Sequence, residues 1–413
     1  MAGVTQSNPQ TAVEHVSASG TGSPIVDHFS LIQGGPIFRF QTVIHMAMPD
    51  RPGVVKRALL TILITWFPLL ILSLVQGGAF GTHVRIPFLY DFAAAARFLI
   101  GLPLLVIAEA VIDPRLNYAV KHFVKSGLVD SATLPSFEDA ILKTNKLRDH
   151  IIPTLVILVF AFLPLIWFKE PQAVKSGIST WRTISSPSGE SLSLAGWWFA
   201  LVSVSLFRIL LFRWIWITIL WTSFLRRITH IDLGCVATHP DKAGGLGFLA
   251  DEELYFGVIA FAASVVVAGA FGNLILYQGA TVSSLKFLMI ASCVLDVILF
   301  AAPLLVLTPK LIEVKHRGTY EYGELGTGYS RAFEAKWMQG HTPQSEPLLG
   351  TADIQSLADL SNSFSVVEEM KVVLIDRKLL IGLAVFAILP LVPLIIIATP
   401  ADKLARAVLK LLF

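Results

Sequence analysis

Seven long apolar stretches constrain the fold of this chain more than any other feature of its sequence. An α-helix needs about 20 apolar residues to cross the hydrocarbon core of a bilayer, and each stretch is close to that length or longer. Hydrophobic residues make up 54% of the 413 positions and charged residues only 15%, too little polar surface for a soluble protein of this size. We therefore predict an all-α, polytopic membrane helix bundle. The predicted spans are Ala58 to Gln76, Phe92 to Ile112, Ile151 to Phe168, Leu194 to Leu225, Leu254 to Tyr277, Leu285 to Leu307 and Leu379 to Ala398.

The last apolar stretch sets the number of spans at six or seven. It contains Pro390 and Pro393, and each proline removes a backbone donor from a helix, so a re-entrant or interfacial segment is the alternative to a full span. Seven spans are the preferred prediction. The division of the chain is then a disordered or interfacial tail (1–50), a transmembrane bundle (51–308), a cytoplasmic helical segment (309–378), and a last span with an interfacial C-terminal helix (379–413).

The placement of basic residues predicts the orientation of the bundle. Lysine and arginine are frequent before the first span and in the loops after the second, fourth and sixth, and sparse in the alternate loops. By the positive-inside rule, the N-terminus and the loops 113–150 and 226–253 are predicted to be cytoplasmic. A net charge of +3 is too small to predict nucleic acid as a partner. The bilayer is the predicted partner, a homo-oligomer is left open, and the small ion or solute is not specified.

Ionisable residues inside the apolar stretches are the first candidates for function, because each costs about 2.5–3.5 kcal/mol near the bilayer centre on insertion scales. Arg208 and Asp296 occupy similar depths in the fourth and sixth spans, so we hypothesise that they pair inside the bundle. Such a pair either holds helices together or belongs to a polar pathway. Arg213, Arg97 and Glu109 are further members of this candidate set.

A polar loop between the fourth and fifth spans, Thr238–Phe248, is the second candidate and is called the glycine loop below. Its His-Pro-Asp tripeptide matches the J-domain signature but not the soluble helices that signature requires, and its glycines lack the lysine and hydroxyl of a phosphate-binding loop. The loop has the composition for a tight turn, a gate or a cation site. No residue set predicts a metal site or a cofactor. The loop candidates are His239, Asp241, Gly244, Gly245 and Gly247.

Two segments together resemble a family of bacterial polytopic inner-membrane proteins. One is His239-Pro240-Asp241 with Gly244-Gly245-Leu246-Gly247-Phe248-Leu249, and the other is Ala352-Asp353-Ile354-Gln355-Ser356-Leu357-Ala358-Asp359-Leu360 before the final span. The resemblance covers most of the chain from the first span onward. It implies an inner-membrane location and carries no activity with it.

Three functional hypotheses follow from these residues. The first is a channel or transporter for an ion or small solute, with Arg208, Arg213 and Asp296 on the path and the glycine loop as a gate. The second is a membrane-anchored sensor or scaffold that acts through its cytoplasmic loops, without transport or catalysis. The third is an enzyme that uses His239 and Asp241 as acid and base, and it is the weakest because no nucleophile or metal set accompanies that pair.

Overall fold

Helices form nearly all of the regular structure in the computed structural model, which describes residues 23–36, 38–39, 53–81, 84–167, 179–186, 189–339 and 351–398. Six helices are long and apolar enough to cross a membrane, and a seventh span results if a bent helix pair is counted as one. The protein is a multi-pass membrane helix bundle. The prediction of an all-α bundle with six or seven spans is confirmed.

The spans extend beyond their predicted limits at several ends. Span three is the helix Ile151–Trp167, and a 41° bend separates it from the preceding helix Leu134–Arg148. A two-stranded hairpin, Thr183–Ser186 with Gly189–Leu192, belongs to the connection between spans three and four. The other spans are Val54–Val75 (span one), Phe92–Lys125 (two), Leu194–Ile228 (four), Phe248–Gln278 (five), the first part of the helix Val282–Met338 (six) and Arg377–Ile397 (seven).

Spans two and four each contain one wide helical turn. Residues Ala96–Gly101 and Phe199–Ser203 form π-helical segments, in which the extra residue per turn shifts the side-chain positions of the helix that follows. The two segments meet, because the rings of Phe98 and Phe199 pack edge to face with centroids 5.8 Å apart. Such turns often occur at functional sites, and Arg97 lies inside the first one.

The segment before span one packs into the bundle. Phe29 is 1% exposed, and its ring lies 5.3 Å from that of Phe224 in span four. The Asn117 side-chain amide of span two donates to the Phe29 carbonyl over 2.7 Å. The predicted disordered tail is therefore wrong for residues 23–36, because this segment buries apolar side chains between helices. The rest of that prediction, residues 1–22 and most of 37–50, lies outside the described residues.

Span six continues as one helix of 57 residues to Met338, through the glycine-rich sequence that follows the membrane segment. Its outer part packs against the antiparallel helix Asp353–Glu368. At the far end the Lys336 ammonium lies 2.8 Å from the Asp353 carboxylate, and Gly318 faces Val367 at the near end. Residues 308–338 and 353–368 are called the helix pair below. The predicted C-terminal interfacial helix lies outside the described residues.

Close contact between spans two and five predicts a strong effect of a single methyl group. A Cβ at Gly269 would lie 2.6 Å from the Phe92 carbonyl oxygen and 2.5 Å from the Ala96 Cβ, both closer than packed atoms allow. We expect Gly269→Ala to force the spans apart and to lower the free energy of unfolding by about 1–3 kcal/mol. Thermal unfolding of the purified protein in detergent measures this loss. Gly328→Ala is the matched control, because nothing lies within 4 Å of its Cβ, and it should leave the midpoint unchanged or raise it.

Candidate functional site

A cavity of about 430 Å³ lies at the end of the bundle that carries the glycine loop. Its walls come from the end of span two, the glycine loop, the start of span five and the segment before span seven. Four elements therefore enclose a volume that falls within the usual range for small-molecule sites. The polar side chains that line it are those of His122, Ser126, His239, Asp241, Asp251, Lys371 and Asp376.

The Asp241 carboxylate holds the glycine loop in shape. Its Oδ1 accepts hydrogen bonds from the backbone amides of Ala243 (2.8 Å) and Gly245 (3.1 Å), and its Oδ2 accepts one from Gly247 (2.9 Å). The backbone can present these amides because Gly244 and Gly245 adopt φ values of 66° and 91°, a region that residues with a Cβ rarely occupy. The predicted loop residues therefore form one unit around a single carboxylate.

The environment of Asp241 keeps its carboxylate ionised. Burial raises the pKa of Asp241, but the three backbone amides and the His239 ring outweigh that effect, and the net pKa lies below its ordinary value. His239 Nδ1 lies 2.8 Å from Asp241 Oδ1, so the histidine joins the same unit. A carboxylate already occupied by three amides suits a structural role in the loop better than the role of a general base.

The glycine loop is bonded directly to the end of the helix pair. The Lys242 ammonium forms an ion pair with the Glu369 carboxylate, and the Lys371 amide donates to the Lys242 carbonyl over 2.7 Å. Lys315 in span six's continuation donates to the carbonyls of Glu368 (2.7 Å) and Met370 (2.9 Å). A change in the shape of the loop would therefore act on the helix pair through short polar contacts.

Two of the predicted intramembrane residues, Glu109 and Arg213, are brought together with a third, Arg57. Arg57 Nη1 donates to Glu109 Oε2 over 2.6 Å, and Arg213 Nη1 donates to Glu109 Oε1. Arg213 Nη2 also donates to the Ile32 carbonyl over 3.1 Å. All three charged side chains are less than one tenth exposed, so one buried carboxylate faces two guanidinium groups.

Sequence reasoning missed Arg57 because it precedes the predicted start of span one and fits the pattern of a flanking positive charge. In the structure it lies one turn inside the helix that begins at Val54. Small or apolar residues surround it at helical spacing, and the buried ones include Val54, Ala58 and Thr61. This spacing is the signal that could have placed Arg57 toward the bundle interior.

A second carboxylate, Asp91, organises the opposite end of the bundle and was also missed. It accepts hydrogen bonds from Trp181 Nε1 (2.9 Å) and Asn273 Nδ2 (2.8 Å), and its partner in an ion pair is Arg182. Its Oδ1 also accepts the Ala94 amide at the start of span two. A single aspartate before an apolar helical run is a helix-capping pattern, which is the sequence signal available here.

Along the bundle, Arg97 and Arg208 lie between the levels of Glu109 and Asp91. Neither arginine forms an ion pair among the described residues. Arg97 is within electrostatic range of Asp91, Arg182 and Arg208, and its buried Nε has no hydrogen-bond partner. Its guanidinium lies 5.6 Å from the centre of the Phe207 ring. Arg208 donates to the Ala161 carbonyl over 3.2 Å.

The hypothesised pair of Arg208 and Asp296 is wrong. Arg208 points toward span three, whereas the helix that carries Asp296 packs against spans five and seven. Equal depth in two helices does not bring side chains together when those helices present different faces to each other. Within the described part of the chain, the half-buried Asp296 carboxylate has neither a hydrogen bond nor an ion pair.

Comparison with known proteins adds no relative: no protein-family model, curated protein or solved structure matches this chain. The resemblance to bacterial inner-membrane proteins therefore stays a prediction. Among the described residues, no three histidine, cysteine, aspartate or glutamate side chains are grouped so as to hold a metal ion.

The Asp241 unit predicts a local effect on backbone protection. We expect Asp241→Asn to speed hydrogen exchange at the amides of Ala243, Gly245 and Gly247 by about tenfold, because an amide group replaces half of the acceptor capacity with donors. Hydrogen–deuterium exchange with mass spectrometry measures this change. Asp251→Asn is the control, since the exposed Asp251 carboxylate borders the same cavity and, among the described residues, is bonded to Lys378 and to none of the loop amides. Unchanged exchange in the first variant would contradict the structural role of Asp241.

The pH dependence of that protection follows from the lowered pKa of Asp241. Because the folded loop favours the ionised carboxylate, its stabilisation is fully present above the ordinary aspartate pKa of 3.8 and is lost as pH falls through the lower folded value. Exchange at the three amides, corrected for the intrinsic pH effect, should stay constant from neutral pH to about 4 and rise only below it. A rise that begins near pH 6 would contradict this assignment.

Proposed function

We propose that this multi-pass membrane protein transports a small anion across the bilayer. The observation that carries the proposal is that Arg97 and Arg208, both inside membrane-spanning helices, form no ion pair among the residues that the structure describes. An uncompensated guanidinium in the hydrocarbon region is costly, and intramembrane charges of this kind typically mark an ion or substrate path.

The local charge balance favours an anion over a cation as the transported species. Toward the end that carries Asp91, the guanidinium groups of Arg182 and Arg208 both repel that of Arg97, and the Asp91 carboxylate is already ion-paired with Arg182. Among the described residues, this group therefore has more arginines than paired carboxylates, and a mobile anion would relieve the repulsion that low dielectric strengthens.

The arginines are spread along the direction that an ion would travel. Arg97 and Glu109 are twelve residues apart in span two, roughly 18 Å along the helix axis, and Arg208 and Arg213 lie roughly 7 Å apart along span four. The cavity beside the glycine loop would serve as the entrance on that side. Loop charge supports a cytoplasmic position for this entrance, and the resemblance to bacterial inner-membrane proteins supports an inner-membrane location; both belong to the proposal.

Anion flux into liposomes tests the proposal directly. The purified protein is reconstituted in vesicles, iodide, nitrate and inorganic phosphate are supplied outside as probes, and the anion taken up by the washed vesicles is measured by ion chromatography. We expect flux of at least one probe above that of empty vesicles, and a loss of about tenfold or more in Arg97→Gln and Arg208→Gln, because each removes a charge from the path.

Arg226→Gln is the matched control for these variants. Arg226 lies in the same helix as Arg208 but is exposed at its end, outside the proposed path, so its flux should equal that of the unmodified protein. Equal flux in all three variants, or no flux above empty vesicles for the probes, would contradict the transport proposal.

A membrane-anchored sensor is the second candidate, favoured by the bonds between the glycine loop and the helix pair. A solute in the 430 Å³ cavity would touch Asp241 and Lys371, and Lys371 donates its amide to Lys242 in the loop. Binding there would change the position of the helix pair without transport. An absence of flux, together with altered hydrogen exchange in 353–368 on solute binding, would favour this candidate.

A further inference from the structure

A cleft of about 340 Å³ lies among spans one to four and is separate from the cavity at the glycine loop. Most of its walls are apolar, including Ile64, Val106 and Phe162. Two hydroxyls also line it, but Thr61 donates to the Ala58 carbonyl and Ser205 to the Ala200 carbonyl, each within its own helix. The cleft therefore offers an apolar surface whose hydroxyl groups are already satisfied.

One end of this cleft is charged. Arg57 and Glu109 line it, and Arg57 is 7% exposed. The Nη1 of Arg57 is bonded to Glu109, whereas its buried Nε has no hydrogen-bond partner. A buried guanidinium nitrogen without an acceptor is unfavourable, so an anionic group that accepts a hydrogen bond from Arg57 would stabilise this position.

The cleft extends from this charged end toward the middle of the membrane. Leu210 and Leu201 both line the cleft, three and twelve residues before Arg213 in span four. Leu201 therefore lies roughly 18 Å from Arg213 along the helix axis. Leu201 is 48% exposed, which places an opening of the cleft on the outside of the bundle, where lipid chains are. The arrangement has a cationic head position near one membrane face and an apolar channel that leads inward from it.

We propose that this cleft binds an anionic phospholipid from the leaflet on the glycine-loop side. Its phosphate accepts a hydrogen bond from Arg57. The negative charge of the phosphate balances the second guanidinium of the group that Arg57 and Arg213 form with Glu109. One acyl chain lies along Ile64, Val106 and Leu206 toward Leu201. The nearby Asp113 does not compete for Arg57, because its oxygens accept from Ser30 and Gln33.

Charge complementarity selects this occupant over a zwitterionic lipid. Two guanidinium groups, those of Arg57 and Arg213, contact the one carboxylate of Glu109. The nearby Asp113 carboxylate accepts instead from two neutral side chains, so it is not bonded to either arginine. A phosphate in a headgroup without a compensating amine supplies the missing negative charge, whereas a choline headgroup brings its own cation. A charge-assisted hydrogen bond in a buried site corresponds to a preference of about tenfold or more.

Native mass spectrometry of the full-length protein tests this binding. The delipidated protein in neutral detergent is titrated with dioleoyl phosphatidylglycerol or dioleoyl phosphatidylcholine, which share their acyl chains. We expect one molecule of the anionic lipid to be retained with an affinity about tenfold above that of the zwitterionic lipid. Arg57→Gln should remove this preference.

Variants at the apolar walls keep the test independent of the ion pair with Glu109. Ile64→Trp within the cleft and Leu201→Trp at its opening should each lower retention of phosphatidylglycerol about tenfold, because the indole fills the space of the acyl chain. Leu63→Trp is the control: it neighbours Ile64 in span one, is 54% exposed and does not line the cleft.

Three outcomes would overturn the proposal: equal retention of the two lipids, unchanged retention in both wall variants, or displacement of phosphatidylglycerol by equimolar oleate, which would identify a fatty-acid site instead. The measurement counts retained lipid, not flux. It therefore stands or fails separately from the transport proposal.

Discussion

The Glu109 carboxylate is the interaction on which the arrangement of the bundle depends. It receives Arg57 from span one and Arg213 from span four, while Arg213 also reaches the Ile32 carbonyl in the N-terminal segment. Four parts of the chain are thereby fixed at one depth. Removal of one member of such a buried group typically costs about 3–5 kcal/mol, because the remaining charges lose their compensation. The hydrophobic contacts of these helices fix far less, since lipid chains provide similar contacts to a separated helix.

Two aspartates solve a related problem at the two ends of the bundle. Backbone amides at the start of a helix or in a loop have no acceptor within a helix, and lipid offers none. Asp91 accepts the Ala94 amide and three side-chain groups at one end, and Asp241 accepts three backbone amides at the other. Each carboxylate therefore satisfies local donors and at the same time joins separate elements. Polar bonds around Asp91 and Asp241 hold the two ends of this membrane protein, and between them the spans depend on close packing and on the Glu109 group.

The spans and the position of the glycine loop could be predicted because each depends on local sequence. An apolar run in a membrane has to be helical, and glycines permit the backbone that Gly244 and Gly245 adopt. The partners of charged side chains could not be predicted in the same way. Depth along a helix follows from sequence, but the direction in which Arg208 points depends on how helices rotate against each other.

The N-terminal segment shows a further limit of sequence reasoning. Its glycine- and serine-rich surroundings resemble a disordered chain, yet Val26, Phe29, Leu31 and Ile32 are all nearly inaccessible to solvent. The surface that receives them exists only after spans two and four have come together, so no local pattern reveals it. Arg57 was misplaced for a similar reason, because a flanking charge and an interior charge look the same in a sequence.

The 57-residue helix that begins in span six has a mechanical consequence. Where the helix leaves the membrane segment, residues Ala302–Leu307 form a 3₁₀ segment with Pro303 as its second residue. A 3₁₀ stretch inside a longer helix often marks a hinge. The helix continues for about 31 residues beyond that turn, roughly 46 Å at the usual rise per residue. A rotation of only about 5° at the turn would displace Met338 by roughly 4 Å, as the end of a long lever arm. Small adjustments of span six within the membrane would thus be amplified at a distance from the bilayer surface.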